Sequence, residues 1–293
     1  MLVATSTRDF AGSALRSAIF LERKLRAHII SRDKLVFDSR FSPPARTPSS
    51  FAHVFAQVRG DFAHAGTTHT GAHAFVLADT EFDRVLPSSA TFRSSGAPAV
   101  IVEIRVPVRS LRVPIGLAHG PLALPAAAWD AYHALDVAFA RGTPIAELEA
   151  LLRTLLDALV RANVLADDLV ASVVTDEPER YRRLWNVMRP LYEDYATSAS
   201  LKQISTLAKL SLRQLGRDLG DLTRDFGMFG GGFRDTMRIL RLRAAVLMLS
   251  APAATPSDVA RSVGYGSLDA MGRAFRDAAL PPPSVVQSAV RYA

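Results

Sequence analysis

The feature that most constrains this chain is a change of hydrophobic periodicity between residues 108 and 125. Before the change, the segment PAVIVEIRVPV places Val100, Val102, Ile104 and Val106 in alternation with the residues between them. This period of two is typical of a half-buried strand. After Pro125, apolar residues recur at steps of three and four, as in helices. Strands followed by helices predict an α+β fold.

Further short strands are predicted at residues 51–60, 72–79 and 83–86, separated by Gly, Pro, Ser and Asp. Several short strands at this spacing indicate a sandwich or a small barrel. Residues 11–30 favour one amphipathic helix or an N-terminal arm. Four aromatic residues are candidates for the core, and some of them would line a ligand pocket if the barrel holds one: Phe51, Phe55, Phe75 and Phe82.

Residues 145–163 predict a helix with a wide apolar stripe. The stripe consists of Ile145, Leu148, Leu151, Leu152, Leu155, Leu156, Leu159 and Val160. Such a helix needs a partner surface, which is either the chain's own barrel or the same helix of a second subunit. The polar segment VVTDEPERY (173–181) then predicts a domain boundary.

The positive charge is concentrated at one end of the chain. Residues 179–293 hold 17 Lys and Arg against 10 Asp and Glu, whereas residues 1–178 hold 18 of each, so the formal net charge of +7 lies beyond residue 178. This asymmetry is expected when one domain meets a polyanion. The chain has no cysteine, which excludes disulfides and thiolate metal sites. We find no secretory signal and no 18-residue apolar run, which is compatible with a cytoplasmic protein.

The basic region contains two copies of a helix-turn-helix pattern. In the first copy, capping boxes at Ser200–Gln203 and Ser211–Gln214 each predict a helix start. Spacing places an apolar face on Ile204, Leu207, Ala208, Leu212, Leu215 and Leu219. The same spacing points Arg213, Gln214 and Arg217 outward. Arg pairs with guanine and Gln with adenine in the major groove, so the second helix is suited to read DNA.

The second copy begins at Thr255-Pro256-Ser257-Asp258, a helix start with Pro at its first position. The turn Gly264-Tyr265-Gly266 follows, and Ser267 opens the second helix, whose inward residues are Met271 and Phe275. Arg273 and Arg276 then lie on the outer side. Residues 233–252 predict one connecting helix, so the two units could enter successive major grooves about 34 Å apart.

These motifs resemble those of the AraC/XylS family of bacterial transcription regulators, over residues 199–287. The matching positions are Leu201, Ile204, Ala208, Ser211, Leu215, Arg217, Leu219, Arg241, Leu242, Ala245, Val259, Ala260, Val263, Gly264, Tyr265, Met271, Arg273, Phe275 and Pro283. The chain departs from the family in its glycine-rich loop at Gly230–Gly232, which affects the spacing of the two units. Leu268, Asp269, Ala270 and Gly272 also stand where the family more often has polar residues.

The resemblance implies three parts. Residues 1–120 would form a cupin-like regulatory domain with an N-terminal arm, residues 121–175 a helical dimerisation segment, and residues 176–293 the DNA-binding domain. It also implies double-stranded DNA as partner, a homodimer through residues 145–163, a small-molecule effector in the barrel, RNA polymerase as a further partner, and a nucleoid-associated cytoplasmic location. We expect no enzyme activity and no membrane association.

The predicted DNA-binding residues are Ser211, Arg213, Gln214, Arg217, Ser267, Leu268, Asp269 and Arg273. The first unit is expected to read more sequence, and the second to anchor mainly on the phosphate backbone. The alternative is that these side chains lie in solvent, bind no DNA and form ion pairs within their own helix, such as Arg217 with Asp221. Arg241 is either a structural partner or a DNA contact.

Two other function classes stay open on the sequence alone. His64, His69 and His73 lie close together, which suggests a cupin-type metalloenzyme, although the H-x-H…E spacing of such sites is absent. We therefore predict no metal, cofactor or catalytic residue. No nucleophile-elbow or phosphate-loop motif occurs. Helix-turn-helix units also bind proteins, so a protein-interaction module is the third functional hypothesis.

Overall fold

A computed structural model describes residues 1–43, 50–64, 66–78, 92–171, 177–226 and 232–291. Its N-terminal part is an antiparallel half-barrel with strand order β1-β2-β3-β8-β5-β6, in which β4 pairs with β8 and β7 with β5. The strands are β1 (Leu2–Phe10), β2 (Ser13–Glu22), β3 (Leu25–Asp33), β4 (Phe37–Asp38), β5 (Phe51–His64), β6 (Thr67–Thr70), β7 (His73–Ala78) and β8 (Phe92–Pro107).

A bend in the long β5–β8 pair curves the sheet. The register shifts between Gln57 and Asp61 on β5, where Gly60 has a φ of +100°. A side chain at Gly60 would place its Cβ 2.5 Å from the carbonyl oxygen of Ser95. Only glycine fits this close approach, and an irregularity of this kind increases local twist.

Helices follow the half-barrel, as the change of period predicts. In the described residues they are α1 (Ala126–Arg141), α2 (Ile145–Arg161), α3 (Asp167–Ala171), α4 (Glu179–Glu193), α5 (Leu201–Ala208), α6 (Leu212–Asp225), α7 (Phe233–Leu249), α8 (Pro256–Ser262), α9 (Leu268–Asp277) and α10 (Pro283–Arg291).

One face of the sheet packs against α1 and α2. Val54, Val102 and Ile104 share a buried cluster with Leu152 and Leu155 of α2. The apolar stripe that raised the question of a partner surface is therefore largely covered by the chain's own sheet. A second subunit would contact the remaining face of α2.

The opposite face packs against the C-terminal helices. Leu15 and Ile19 of β2 belong to one buried cluster with Trp185 of α4, and this cluster continues to Val259 and Phe275. The indole Nε1 of Trp185 donates a hydrogen bond to the carbonyl oxygen of Val3, at 3.2 Å. The half-barrel and the helical region thus share one core.

The structure corrects one prediction about secondary structure. Residues 11–30, expected to be a helix or an arm, form β2 and much of β3. The strands predicted at 51–60, 72–79 and 100–106 are confirmed as parts of β5, β7 and β8. The strand predicted at 83–86, the core residue Phe82 and the Gly230–Gly231 part of the loop lie outside the described residues. Within those residues, no helix is long and apolar enough to cross a membrane.

Candidate nucleic-acid interface

The first helix-turn-helix unit is built by α5 and α6. Ser200 caps α5 through a complete capping box, since its Oγ accepts from the Gln203 amide and its amide donates to Gln203 Oε1. Lys209 takes a left-handed conformation (φ +54°) at the turn, and Ser205 Oγ donates to the Leu210 carbonyl at 2.6 Å. These local bonds fix the angle at which α6 leaves the turn.

The outward side of α6 carries the predicted reading residues. Ser211 caps the helix by accepting from the Gln214 amide at 3.2 Å, and Arg213, Gln214 and Arg217 are exposed. Arg217 does not pair with Asp221; its Nε lies 3.7 Å from Asp218 instead. The exposed side therefore presents hydrogen-bond donors near the helix start. Contact of these residues with DNA stays a prediction.

Two leucines of this unit do not face the core as the spacing predicts. Leu207 on α5 is 69% exposed and Leu212 at the start of α6 is 57% exposed. Ile204, Ala208 and Leu215 fill the short interface instead. Since two short helices bury only a narrow stripe, the outer positions of the apolar face remain in solvent.

The second unit is built by α8 and α9 around a glycine turn. Gly264 has a φ of +84°, and a Cβ there would lie 2.7 Å from the carbonyl oxygen of Ala196. Tyr265 is half-buried against the core, and Val263 is fully buried. The turn thus requires glycine both for its backbone conformation and for its close approach to the segment that follows α4.

The outer side of α9 is less polar than that of α6. Ser267 caps the helix by accepting from the Ala270 amide at 3.1 Å. Leu268, Asp269 and Arg273 are exposed. Arg276 is exposed one turn further along the helix. Near the helix start this surface offers an apolar side chain and an anion, so it presents few donors to base edges there.

The connecting helix α7 anchors both units. Arg241 donates from Nε to the Tyr195 carbonyl at 2.8 Å and from Nη2 to the Thr197 carbonyl at 3.2 Å. Its guanidinium is therefore used inside the protein, which favours the structural alternative for this residue.

A cavity of about 150 Å³ lies between the half-barrel and the helical region. Its sheet side is lined by residues of β2, β3, β5 and β8, and its roof by residues of α4 and α7. The lining includes Leu15, Ile19, His28, Ile30, Arg32, Phe37, Phe55, Ile101, Glu103, Tyr192, Tyr195, Leu240, Arg243 and Leu247. The cavity is mostly apolar and carries charged groups at defined points, as small-molecule sites do.

The polar groups at one end of the cavity are paired. Glu103 Oε1 accepts from Arg26 Nη2 at 3.0 Å and lies 2.7 Å from His53 Nδ1. These neighbours hold the pKa of Glu103 well below its usual value even though burial opposes the shift. Burial lowers the pKa of the nearby His28 to about 4, so this imidazole is neutral at pH 7.

Of the cavity lining, the sequence named only Phe55, and it missed His28 because residues 11–30 were assigned to a helix or an N-terminal arm. The signal was present in β3, where Ala27 and Ile29 alternate with His28 and Ile30. That alternation places His28 and Arg32 on the same face of the sheet.

The three histidines suggested for a metal site do not form one. The rings of His69 and His73 lie 4.9 Å apart, and His69 packs 5.6 Å from Phe75. Among the described residues, no group of three His, Cys, Asp or Glu side chains is positioned to hold a metal ion.

Comparison with family models gives no match, and comparison with curated proteins gives none either. Among solved structures, ToxT from Vibrio cholerae matches 90% of this chain and 98% of its own, at 9% identity and a TM-score of 0.37. The AraC-like transcriptional activator CuxR matches 89% of this chain and 92% of its own, at 16% identity and a TM-score of 0.31. A DNA-binding transcriptional dual regulator from Escherichia coli K-12 covers 41% of this chain and 98% of its own, at 18% identity and a TM-score of 0.31.

Proposed function

We propose that this chain is a DNA-binding transcription regulator of the AraC/XylS type, controlled by a small molecule in the cavity between its two parts. The observation that carries the proposal is the arrangement of α7. This helix joins the two helix-turn-helix units and also forms part of the cavity roof, through Leu240 and Leu247. One element therefore connects a ligand-sized cavity to both candidate reading helices.

The charge and exposure of the first unit support DNA as its partner. The excess positive charge lies in residues 179–293, and Arg213 and Arg217 project from α6 into solvent, with Arg217 Nε 3.7 Å from Asp218. Cationic side chains supply affinity through phosphate contacts, and Arg and Gln at a helix start supply sequence preference. Sequence reading is assigned mainly to α6.

The second unit is assigned an anchoring role. Arg273 of α9 is exposed and suited to a phosphate, whereas Asp269 on the same surface is repelled by phosphate unless it accepts from a cytosine. Leu268 can contact a thymine methyl group. This division predicts that sequence preference is stronger in the half-site bound by α6.

Direct contacts between the two parts support control of DNA binding by the half-barrel. Arg8 of β1 pairs with Asp194 and donates to the carbonyl oxygen of Ser262, the last residue of α8. The Val36 amide donates to Ser250 Oγ, at the end of α7, at 2.9 Å. The sheet therefore holds the second unit in place, and a change in the sheet would move it.

We also propose a homodimer, in which α2 contributes its solvent face, and a cytoplasmic, nucleoid-associated location. The exposed residues of that face include Arg153 and Asp157, so the contact would be more polar than the sequence stripe suggests. Sedimentation of the purified protein at micromolar concentration tests the dimer, and a monomeric mass refutes it.

Selection of bound DNA from a random pool, followed by footprinting, tests the proposed function. The Arg217→Ala variant should bind the selected site more weakly, while Arg112→Ala, which changes an exposed arginine of the N-terminal part, should bind as the wild type does. Failure to enrich any sequence would refute sequence-specific binding. Retention on DNA that does not fall with rising salt would favour the protein-interaction alternative.

A further inference from the structure

Arg32 is a buried cation with no carboxylate partner in the part of the chain that the structure describes. Its side chain lies on β3 with 1% exposure and lines the cavity between the half-barrel and the helical region. Its Nη2 donates to Ser94 Oγ at 2.8 Å, but its Nε and Nη1 have no hydrogen-bond partner among the described residues. The guanidinium carbon lies over the ring of Phe37, 5.8 Å from its centroid, in a cation–π contact that supplies no hydrogen-bond acceptor.

The carboxylate in the cavity lining does not reach Arg32. Glu103 is engaged by Arg26 and His53, and it pairs across the strands with His28, four residues from Arg32 on β3. At the rise of a strand, four residues correspond to roughly 13 Å. The two charged ends of the cavity are therefore separate, and Ile30 and Ile101 lie between them.

A second orphan donor lies next to Arg32. Ser94 Oγ donates to Gln57 Oε1 at 2.5 Å, which leaves the amide Nε2 of Gln57 buried and without a partner in the described residues. Among the described residues, neither Arg32 nor Gln57 has an acceptor for these remaining donors. Buried charges and donors in proteins are normally paired, so the unpaired guanidinium of Arg32 at the cavity wall indicates a ligand with an acceptor group.

We infer that the cavity binds a small apolar molecule with one acid group, whose oxygens are held by Arg32. A carboxylate matches the planar guanidinium and accepts from two of its donors at once. The rest of the molecule would lie along Ile30, Ile101 and Phe55 of the sheet, under Leu240 and Leu247 of α7. Binding itself does not depend on DNA, whereas its regulatory meaning rests on the proposed function.

The position of the roof explains how such a ligand would act. Tyr192 and Tyr195 close the cavity from the α4 side, and their hydroxyl groups have no hydrogen-bond partner in the described residues. A molecule between the sheet and α7 sets the distance between them. Since α7 connects the two reading units, the occupied and empty cavities would present those units differently.

Two matched pairs of probes test the inference: octanoate against 1-octanol, and benzoate against benzyl alcohol. Within each pair the body is the same and only the acid group differs. We expect calorimetry on the wild-type protein to give at least a 10-fold tighter dissociation constant for the acid in one or both pairs. In Arg32→Gln, the acid and its alcohol should bind equally.

Arg16→Gln is the control, because Arg16 is an exposed arginine of the neighbouring strand β2. It should keep the preference for the acid. Circular dichroism and the unfolding midpoint establish that each variant is folded, and Arg32→Met serves as a second variant if Arg32→Gln is not. Equal binding of acids and alcohols by the wild type, binding of neither, or an unchanged acid preference in Arg32→Gln overturns the inference. A protein that binds the acids but no DNA would keep this site and refute the proposed function.

Discussion

Replacement of Arg32 by methionine should stabilise the ligand-free protein, although it removes a fully buried side chain. Burial lowers the pKa of Arg32 from 12.5 to about 10, so the folded state disfavours the charged form by about 3 kcal/mol. Methionine removes this penalty and fills similar space. It also loses the hydrogen bond to Ser94, which costs about 1.5 kcal/mol. The net gain is then roughly 1–2 kcal/mol, or a rise in Tm of a few degrees.

The stability penalty from burying the Arg32 charge depends on pH in a defined direction. Above pH 10 the folded state begins to release the Arg32 proton while the unfolded state retains it, so the penalty declines only as pH rises from about 10 to 12.5. At pH 7 the full penalty is present. Urea unfolding of dialysed protein at pH 7 therefore measures the whole effect.

Arg26→Met is the matched control, because Arg26 lies on the same strand and face with 3% exposure but is paired with Glu103. Breaking this pair should destabilise the protein by about 3 kcal/mol, at the lower end of the range for buried pairs, since His53 remains beside Glu103. If Arg32→Met lowers stability as Arg26→Met does, then other interactions in the folded protein offset the cost of burying the Arg32 charge, and the reasoning is wrong.

Three further predictions follow from the structure. Arg217→Ala should weaken binding to a selected site by roughly 1–3 kcal/mol, as read by gel shift at fixed salt, whereas equal affinity would remove Arg217 from the interface. Between pH 7 and pH 5, the wild type should lose roughly 2 kcal/mol of stability through His28, because the unfolded state binds the proton near pH 6.5 and the folded state only near 4. Urea unfolding at both pH values should show a smaller loss in His28→Gln, and an identical loss would contradict this assignment. Gly264→Ala should cost at least about 2 kcal/mol because of its left-handed backbone and its contact with Ala196, while Gly266→Ala, with nothing within 4 Å, should be nearly neutral in thermal unfolding.

The helical region was predictable because its signals are local. The side chains of Ser200, Ser211, Thr255 and Ser267 each accept from an amide three residues ahead. A bond within one helical turn depends on the segment itself, so the sequence predicts where these helices begin. The exposure of Leu207 and Leu212 was not predictable in the same way, since it depends on how little surface two short helices can cover.

The half-barrel was harder to predict because strand pairing joins distant residues. In β2, Ala18, Ile19, Phe20 and Leu21 are all buried, because helices cover both faces of the sheet. The alternation that identifies a half-exposed strand is therefore lost, and the run is as consistent with a helix. The cavity lining could be foreseen only at Phe55, because Arg32 and Leu247 come to line one cavity only when the sheet packs under α7.

The packing of α4 bears on how chimeras of such proteins should be made. By sequence this helix begins at the end of the polar segment 173–181, yet Trp185 packs on β1 and donates to the Val3 carbonyl. An exchange of N-terminal halves at residue 176 would therefore join α4 to a foreign sheet. A junction beyond Tyr195 keeps the helix with the strand it fits, and positions on the two sides of this contact are expected to change in concert among homologues.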